Sequence, residues 1–132
     1  MDDHVEIARR AFEAIARKPK PDFATINELM APDHDFVDAL AESSRGGRGF
    51  QAWFLLFNET WETWEIQPRE LLAIDEERVL LCYRFVATGH GSEFVVDAEM
   101  ANVMTIRDGK IVHTRAFASV EEARAALDVV DA

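Results

Sequence analysis

Asp33-His34-Asp35 sets groups able to bind a metal or move a proton side by side. A metal needs such ligands to converge, whereas on a strand alternation throws His34 to the opposite face from both aspartates, so no metal site is expected. His34 would instead share a face with Phe36 and Asp38, where an imidazole can tune an acid or bind a ligand. Gly46-Gly47-Arg48-Gly49 precedes a helix start and so offers a generic anion perch. It lacks the full phosphate-loop pattern, and a nucleotide is not expected. Cys82 lies in an apolar run with no histidine beside it and reads as a buried, inert thiol. Arg84 is a charge in the middle of that run and needs a carboxylate, for which Asp97 and Glu99 are the candidates. His90 falls in a turn, where it either lines the rim of a site or is simply exposed. Asn58-Glu59-Thr60 matches a glycosylation acceptor but sits inside a helix expected to be buried.

Composition narrows the classes. The chain of 132 residues carries 14 basic and 25 acidic side chains, a formal charge of −11. Nucleic acid and anionic membranes both demand a basic face, so neither is an expected partner. The start, Met1-Asp2-Asp3-His4, is acidic where a secretory signal is basic, and no apolar run approaches the ~18 residues of a membrane span. A cytoplasmic location is the expectation. A single cysteine excludes an internal disulfide. The length suits one domain over residues 1–132, with a core that stands without disulfide or metal.

The elements that must hold these residues follow from periodicity. Asp3-x-x-Glu6 resembles a capping box, and Val5, Ala8, Phe12, Ile15 and Ala16 recur at helical spacing, which predicts a helix to about Lys18, stopped by Pro19-Lys20-Pro21. Asp22 is a plausible N-cap for a short helix carrying Phe23, Ile26, Leu29 and Met30 and closed by Pro32. Asp33 to Leu40 reads as an edge strand, and Ser43 to Gly49 as a turn-rich loop. Phe50, Trp53, Phe54, Phe57, Trp61 and Trp64 then follow helical spacing and predict the longest and most apolar helix. Ile66 to Asp75 is a strand whose Pro68 belongs near an edge. Arg78 to Thr88, Glu93 to Arg107 and Lys110 to Ala118 read as an antiparallel meander, its second turn marked by Asp108-Gly109, which suits a tight turn with φ > 0 at both central residues. Ser119-x-x-Glu122 caps a short closing helix with Ala123, Ala126, Leu127 and Val130 on its apolar face. The order is that of an α+β domain with helices on one face of a curved sheet.

In this arrangement Leu29-Met30-Ala31-Pro32-Asp33 leading to Asp38, Gly46 to Gly49 opening the long helix, Thr88-Gly89-His90, and Asp108-Gly109-Lys110-Ile111-Val112 followed by Phe117 resemble the nuclear-transport-factor-2-like superfamily. Within it the resemblance is to the SnoaL-like and ketosteroid-isomerase-like small-molecule group, over nearly the whole chain. It implies a cone-shaped half-barrel of a curved, mainly antiparallel sheet with helices packed on its concave face. It also implies a mouth lined from sheet and helices, and homodimers paired through the outer face of the sheet. Isomerases, cyclases, dehydratases, epoxide hydrolases and plain binding modules share this scaffold.

Ketosteroid isomerases move a proton with an aspartate while a tyrosine and a protonated aspartic acid donate hydrogen bonds to the enolate oxygen. The position matching the base is Asp38, and a carboxylate in a partly apolar mouth can have its pKa raised toward that task. The tyrosine position falls on Phe12 and the donor acid on Asn102, whose amide can donate while neutral. The acid of the polyketide-cyclase branch falls on Ala116. Both mechanisms therefore arrive incomplete. If Asn102 points inward, alternation turns Ala98, Met100 and Met104 inward too, with Thr114, Ala116 and Ala118 on the last strand. Together with Trp53, Phe57, His34 and His90 these form the expected lining for a small, largely apolar molecule; alternatively, the same side chains pack against the long helix.

Two readings stay open. In one, a SnoaL-like protein binds its ligand in the cone and moves a proton on an enolisable carbonyl or polyketide-type ring, as an isomerase or cyclase without cofactor, with Asp38 as base and Asn102 assisting. In the other, the same fold is a non-catalytic ligand-binding or dimerisation module.

Overall fold

A computed structural model describes residues 3–18, 20–38, 43–91 and 95–131, with the side chains of residue 3, residues 43–51, residue 53 and residues 128–131 excepted. In chain order the elements are α1 (Asp3–Ala16), α2 (Phe23–Leu29), β1 (Met30–Val37), β2 (Ser43–Arg45), α3 (Gly46–Thr60), β3 (Trp61–Ala73), β4 (Arg78–Gly89), β5 (Val95–Arg107), β6 (Lys110–Phe117) and α4 (Val120–Asp131). The strands form one sheet in the order β2-β1-β6-β5-β4-β3. The fold is the expected α+β cone, its sheet antiparallel except where β1 runs parallel to β6.

Local chemistry explains several boundaries. Asp22 caps α2, its Oδ1 accepting from the Thr25 amide at 3.2 Å, and Ser119 Oγ accepts from the Glu122 amide at 3.1 Å to start α4. Asp108 and Gly109 have φ of 52° and 76°, the left-handed pair that joins β5 to β6. Proline 19 lies outside the described residues, as do 39–40 at the end of the strand expected from Asp33 and 92–94 before β5.

Three expectations are corrected. The strand after α2 begins at Met30, inside the expected helix, and it is no edge strand. It lies between β2 and β6, with Pro32 in an irregular stretch between the Met30↔Ile111 and Asp35↔His113 pairs. The expected loop from Ser43 supplies the edge strand β2, antiparallel to β1, and α3 starts already at Gly46. The aromatic helix ends at Thr60, where the hydroxyl donates back to the Leu56 carbonyl at 2.9 Å. Trp61 and Trp64 belong to β3. Trp61 pairs with Gly89 and Thr63 with Thr88, so two residues of β3 oppose one of β4. This bulge lets side chains three apart face the same way, which imitates helical spacing in the sequence.

Alternation splits the core in two. Val79, Leu81, Tyr83, Phe85, Met104 and Ile106 face α1, α2 and β1. Leu80, Cys82, Ala101 and Val103 face the other way and pack with Phe117 under Ala123 and Leu127 of α4. Thus α1, α2 and α3 fill the concave side, whereas α4 covers part of the convex side. Between α3 and the start of β3 the rings of Phe54, Phe57, Trp61, Trp64 and Phe85 pack at centroid distances of 5.3 to 5.9 Å. Pro68 sits at a second bulge on the edge strand β3, between the Pro68↔Tyr83 and Glu70↔Cys82 pairs. No described helix is long and apolar enough to cross a membrane.

Candidate functional site

The polar groups of the concave face come from four strands. Asp38 follows the last residue of β1 and is 8 % exposed; with His34 and Thr114 it makes up the buried polar and charged set among the described residues, and it is the carboxylate of that set. Val37 pairs with Arg115, so Asp38 stands level with Ala116, and Ala116 pairs with Asn102 on β5. Two inter-strand steps, ~10 Å, therefore separate the Asp38 and Asn102 backbones. On the strand between them the side chain at this level is the methyl group of Ala116.

Asn102 is half-buried and has a partner that the sequence reading missed. Tyr83 on β4 donates its hydroxyl to Asn102 Oδ1 at 2.9 Å. Tyr83 is buried and its ring lies against Phe12 at 5.7 Å; burial pushes its phenol well above the ordinary range, which keeps the hydroxyl protonated. A tyrosine is thus present beside Phe12, reached from the sheet rather than from the first helix. The signal was alternation: Tyr83 shares the parity of Leu81 and Phe85, the apolar residues of β4 that face the core.

His34 is fully buried, as expected on the opposite side of the strand from its neighbours. Its Nε2 lies 2.9 Å from Thr114 Oγ1, and its Nδ1 is buried without a hydrogen-bond partner among the described residues. Burial first, and then the nearby His113, lowers its pKa to about 4, so the ring is neutral at neutral pH. Asp35 points to the other face and meets His113 Nδ1 at 3.3 Å. Among the described residues no three His, Cys, Asp or Glu side chains cluster to hold a metal.

The other expected lining residues are scattered. Met104 and half-buried Met100 belong to the concave core, and Met104 pairs with Thr114. Phe57 packs into the aromatic cluster, and the Trp53 side chain lies outside the described set. His90 is exposed in the turn after β4. Leu81 is the cross-strand partner of Asn102, so roughly 30 Å of extended chain separates His90 from the Asp38–Asn102 level. A half-open depression of about 140 Å³ lies between α1 and β3, with Phe12, Pro68, Leu71 and Leu81 as its apolar lining and Arg9, Glu13, Arg69 and Glu70 as its polar residues. Because Leu81 neighbours Asn102, this depression reaches the cross-strand neighbour of the Tyr83–Asn102 pair.

Comparison with known proteins bears on the family and the fold. A family model described as a SnoaL-like domain matches residues 8–114. No curated protein matches the chain. Among solved structures, a ketosteroid-isomerase-like protein from Catenulispora acidiphila DSM 44928, in complex with trimethylamine, superimposes with a TM-score of 0.74 at 16% identity, covering 87% of this chain and 86% of its own. TerC co-crystallised with polyporic acid gives 0.74 at 15%, covering 96% and 98%. A protein from Jannaschia sp. CCS1, provisionally named a SnoaL-like polyketide cyclase, gives 0.77 at 19%, covering 95% and 91%. At these identities the likeness is one of fold.

Proposed function

Given that the chain belongs to the SnoaL-like family, we propose that it binds a small, largely apolar molecule in the cone and moves a proton on an enolisable carbonyl, as an isomerase or cyclase of cofactor-free type. Asp38 is the general base and Asn102 donates a hydrogen bond to the carbonyl oxygen as it becomes an enolate. The observation that carries this reading is Asp38 itself: a carboxylate held 8 % exposed at the end of β1. Burying a carboxylate is costly unless structure or function holds it there. His34, Met100, Met104 and Thr114 belong to the same concave face, and Trp53 and Phe57 complete the proposed lining, whereas His90, exposed beyond the far end of β4, stands outside it.

A second reading, a non-catalytic ligand-binding or dimerisation module, is favoured by Phe12 and Ala116, which supply neither the hydroxyl nor the acid of the catalytic relatives. Pairing of two copies through the outer sheet face fits both readings, and so does a cytoplasmic place of action for an acidic chain with one cysteine.

The test is proton exchange into 2-tetralone, a compact apolar ketone with acidic protons beside its carbonyl, followed by NMR in deuterated water. The protein is expected to accelerate exchange, and Asp38→Asn to remove at least ~100-fold of that acceleration, the usual worth of a positioned base. Acceleration that survives Asp38→Asn intact overturns the assignment of the base. Ligand-induced stabilisation without any exchange in the unaltered protein selects the binding-module reading.

A further inference from the structure

We propose that Tyr83 is the positioning residue of this site: its hydroxyl fixes the Asn102 carboxamide so that only hydrogen-bond donors face the space above Ala116. The proposal rests on the reading of Asn102 as the ligand-facing donor and adds what that site selects. A carboxamide carries an acceptor at one end and two donors at the other, and unrestrained rotation would present either. Here the acceptor end is taken, because Oδ1 receives the Tyr83 hydroxyl at 2.9 Å from the β4 side. The Nδ2 protons then lie on the remaining side, toward β6, where Ala116 is the cross-strand partner. Ala116 is the smallest side chain that keeps a Cβ, and beyond it, one strand further, stands Asp38.

Tyr83 is suited to this task because it cannot readily move. It is 8 % exposed, its ring packs on Phe12, and it shares its face of β4 with Leu81 and Phe85 in one apolar cluster. Being a donor that stays protonated, it holds the amide in one orientation wherever the protein is folded. The consequence is a preference of chemical class. The site accepts a ligand with a carbonyl, enol or phenolic oxygen on an apolar frame, and it discriminates against the same frame with no oxygen to receive the Nδ2 protons. A buried donor left unpaired by such a ligand lowers affinity, and this is the basis of the selection.

Two measurements test this. The first needs no ligand: ¹⁵N relaxation of the Asn102 side-chain amide in the intact chain. It should be as rigid as the surrounding strands in the unaltered protein and mobile in Tyr83→Phe, which removes one oxygen and keeps the ring. An amide equally rigid in both proteins overturns the proposal. The second is binding of 2-naphthol, an oxygen-bearing planar probe, against naphthalene, by fluorescence titration. Tyr83→Phe is expected to weaken 2-naphthol about 5- to 20-fold and Asn102→Ala by a similar factor, with the double variant no weaker than the worse single one, because both changes break the same interaction. Naphthalene binding should stay within about 2-fold throughout. Equal weakening of both probes by Tyr83→Phe assigns the residue to packing and overturns the proposal. If neither probe binds, the ligand-binding reading of the concave face falls, while the relaxation measurement still decides the role of Tyr83.

Discussion

The two faces of β4 and β5 are built from alternate residues of the same strands, yet they treat polar groups in opposite ways. On the outer face Arg84 makes paired hydrogen bonds to Asp97 at 2.7 and 2.8 Å. Arg69 meets Glu99 at 3.3 Å and Arg124 of α4 meets Glu70 at 3.3 Å, all at the solvent margin. On the inner face the polar side chains are a tyrosine, an asparagine, a threonine and a histidine held neutral, each hydrogen-bonded to a neighbour on that face. The difference follows from solvation: charges cost little where water reaches them, whereas a buried charge must be paired or neutralised. Asp38 adds a buried carboxylate to that inner face.

Substituting the same residue type on the two faces is the sharpest way to break this comparison. Leu81 is 1 % exposed and Leu72 is 38 % exposed, and they point to opposite sides of adjacent strands. Leu81→Ala is expected to cost about 2–5 kcal/mol in urea unfolding, the range for a leucine cavity in a packed core. Leu72→Ala should cost less than about 1 kcal/mol. Equal losses would mean that the outer face is as closely packed as the inner one in solution, as it would be beneath a second copy.

The next effect concerns acid. His34 has its folded pKa lowered from 6.5 to about 4 by burial. Between those values the unfolded chain binds a proton that the folded chain refuses, so stability rises with pH through this window and is fully present above about 6.5. The maximum contribution is about 3 kcal/mol at 1.36 kcal/mol per unit. Unfolding free energies at pH 7 and pH 4 should therefore differ by less in His34→Gln than in the unaltered protein, where the outer carboxylates contribute equally to both. An identical pH dependence in the two proteins would show that the ring is solvated.

What the sequence disclosed and what it hid divide along sequence distance. The caps at Asp22 and Ser119, the Asp108-Gly109 turn, the partner of Arg84 and the inward parity of Asn102 all depend on residues a few positions apart or on a single hairpin. The place of β1 beside β6 depends on pairs such as Met30↔Ile111, some eighty residues apart, and no local pattern specifies it. The misread end of α3 has a different cause, since a bulge at Trp61 reproduces helical spacing inside a strand. The shared face of His34, Phe36 and Asp38, and the opposite orientation of Asp35, were legible from alternation. Tyr83 was hidden because its bond to Asn102 is a diagonal contact between strands, which appears only once the β4–β5 register is known.

The smallest expected effect on stability, and the one that sharpens the outer face, is the loss of the Arg84–Asp97 pair. Both groups are open to solvent, so Arg84→Gln should leave the melting temperature close to that of the unaltered chain, and added salt should change little. Association is a separate matter. Leu80, Cys82, Ala101 and Val103 of this face lie in the cluster that α4 covers, whereas Val86 and Asp97, and Val95 at 59 % exposure, lie beyond it. A surface with an arginine and an aspartate side by side is self-complementary under a two-fold axis, since each can meet its opposite on a second copy. If the outer face pairs two copies, Arg84→Glu sets acid against acid there and sedimentation should shift from dimer toward monomer with the fold retained. A mass unchanged by that reversal would place any self-association away from the outer face of β4.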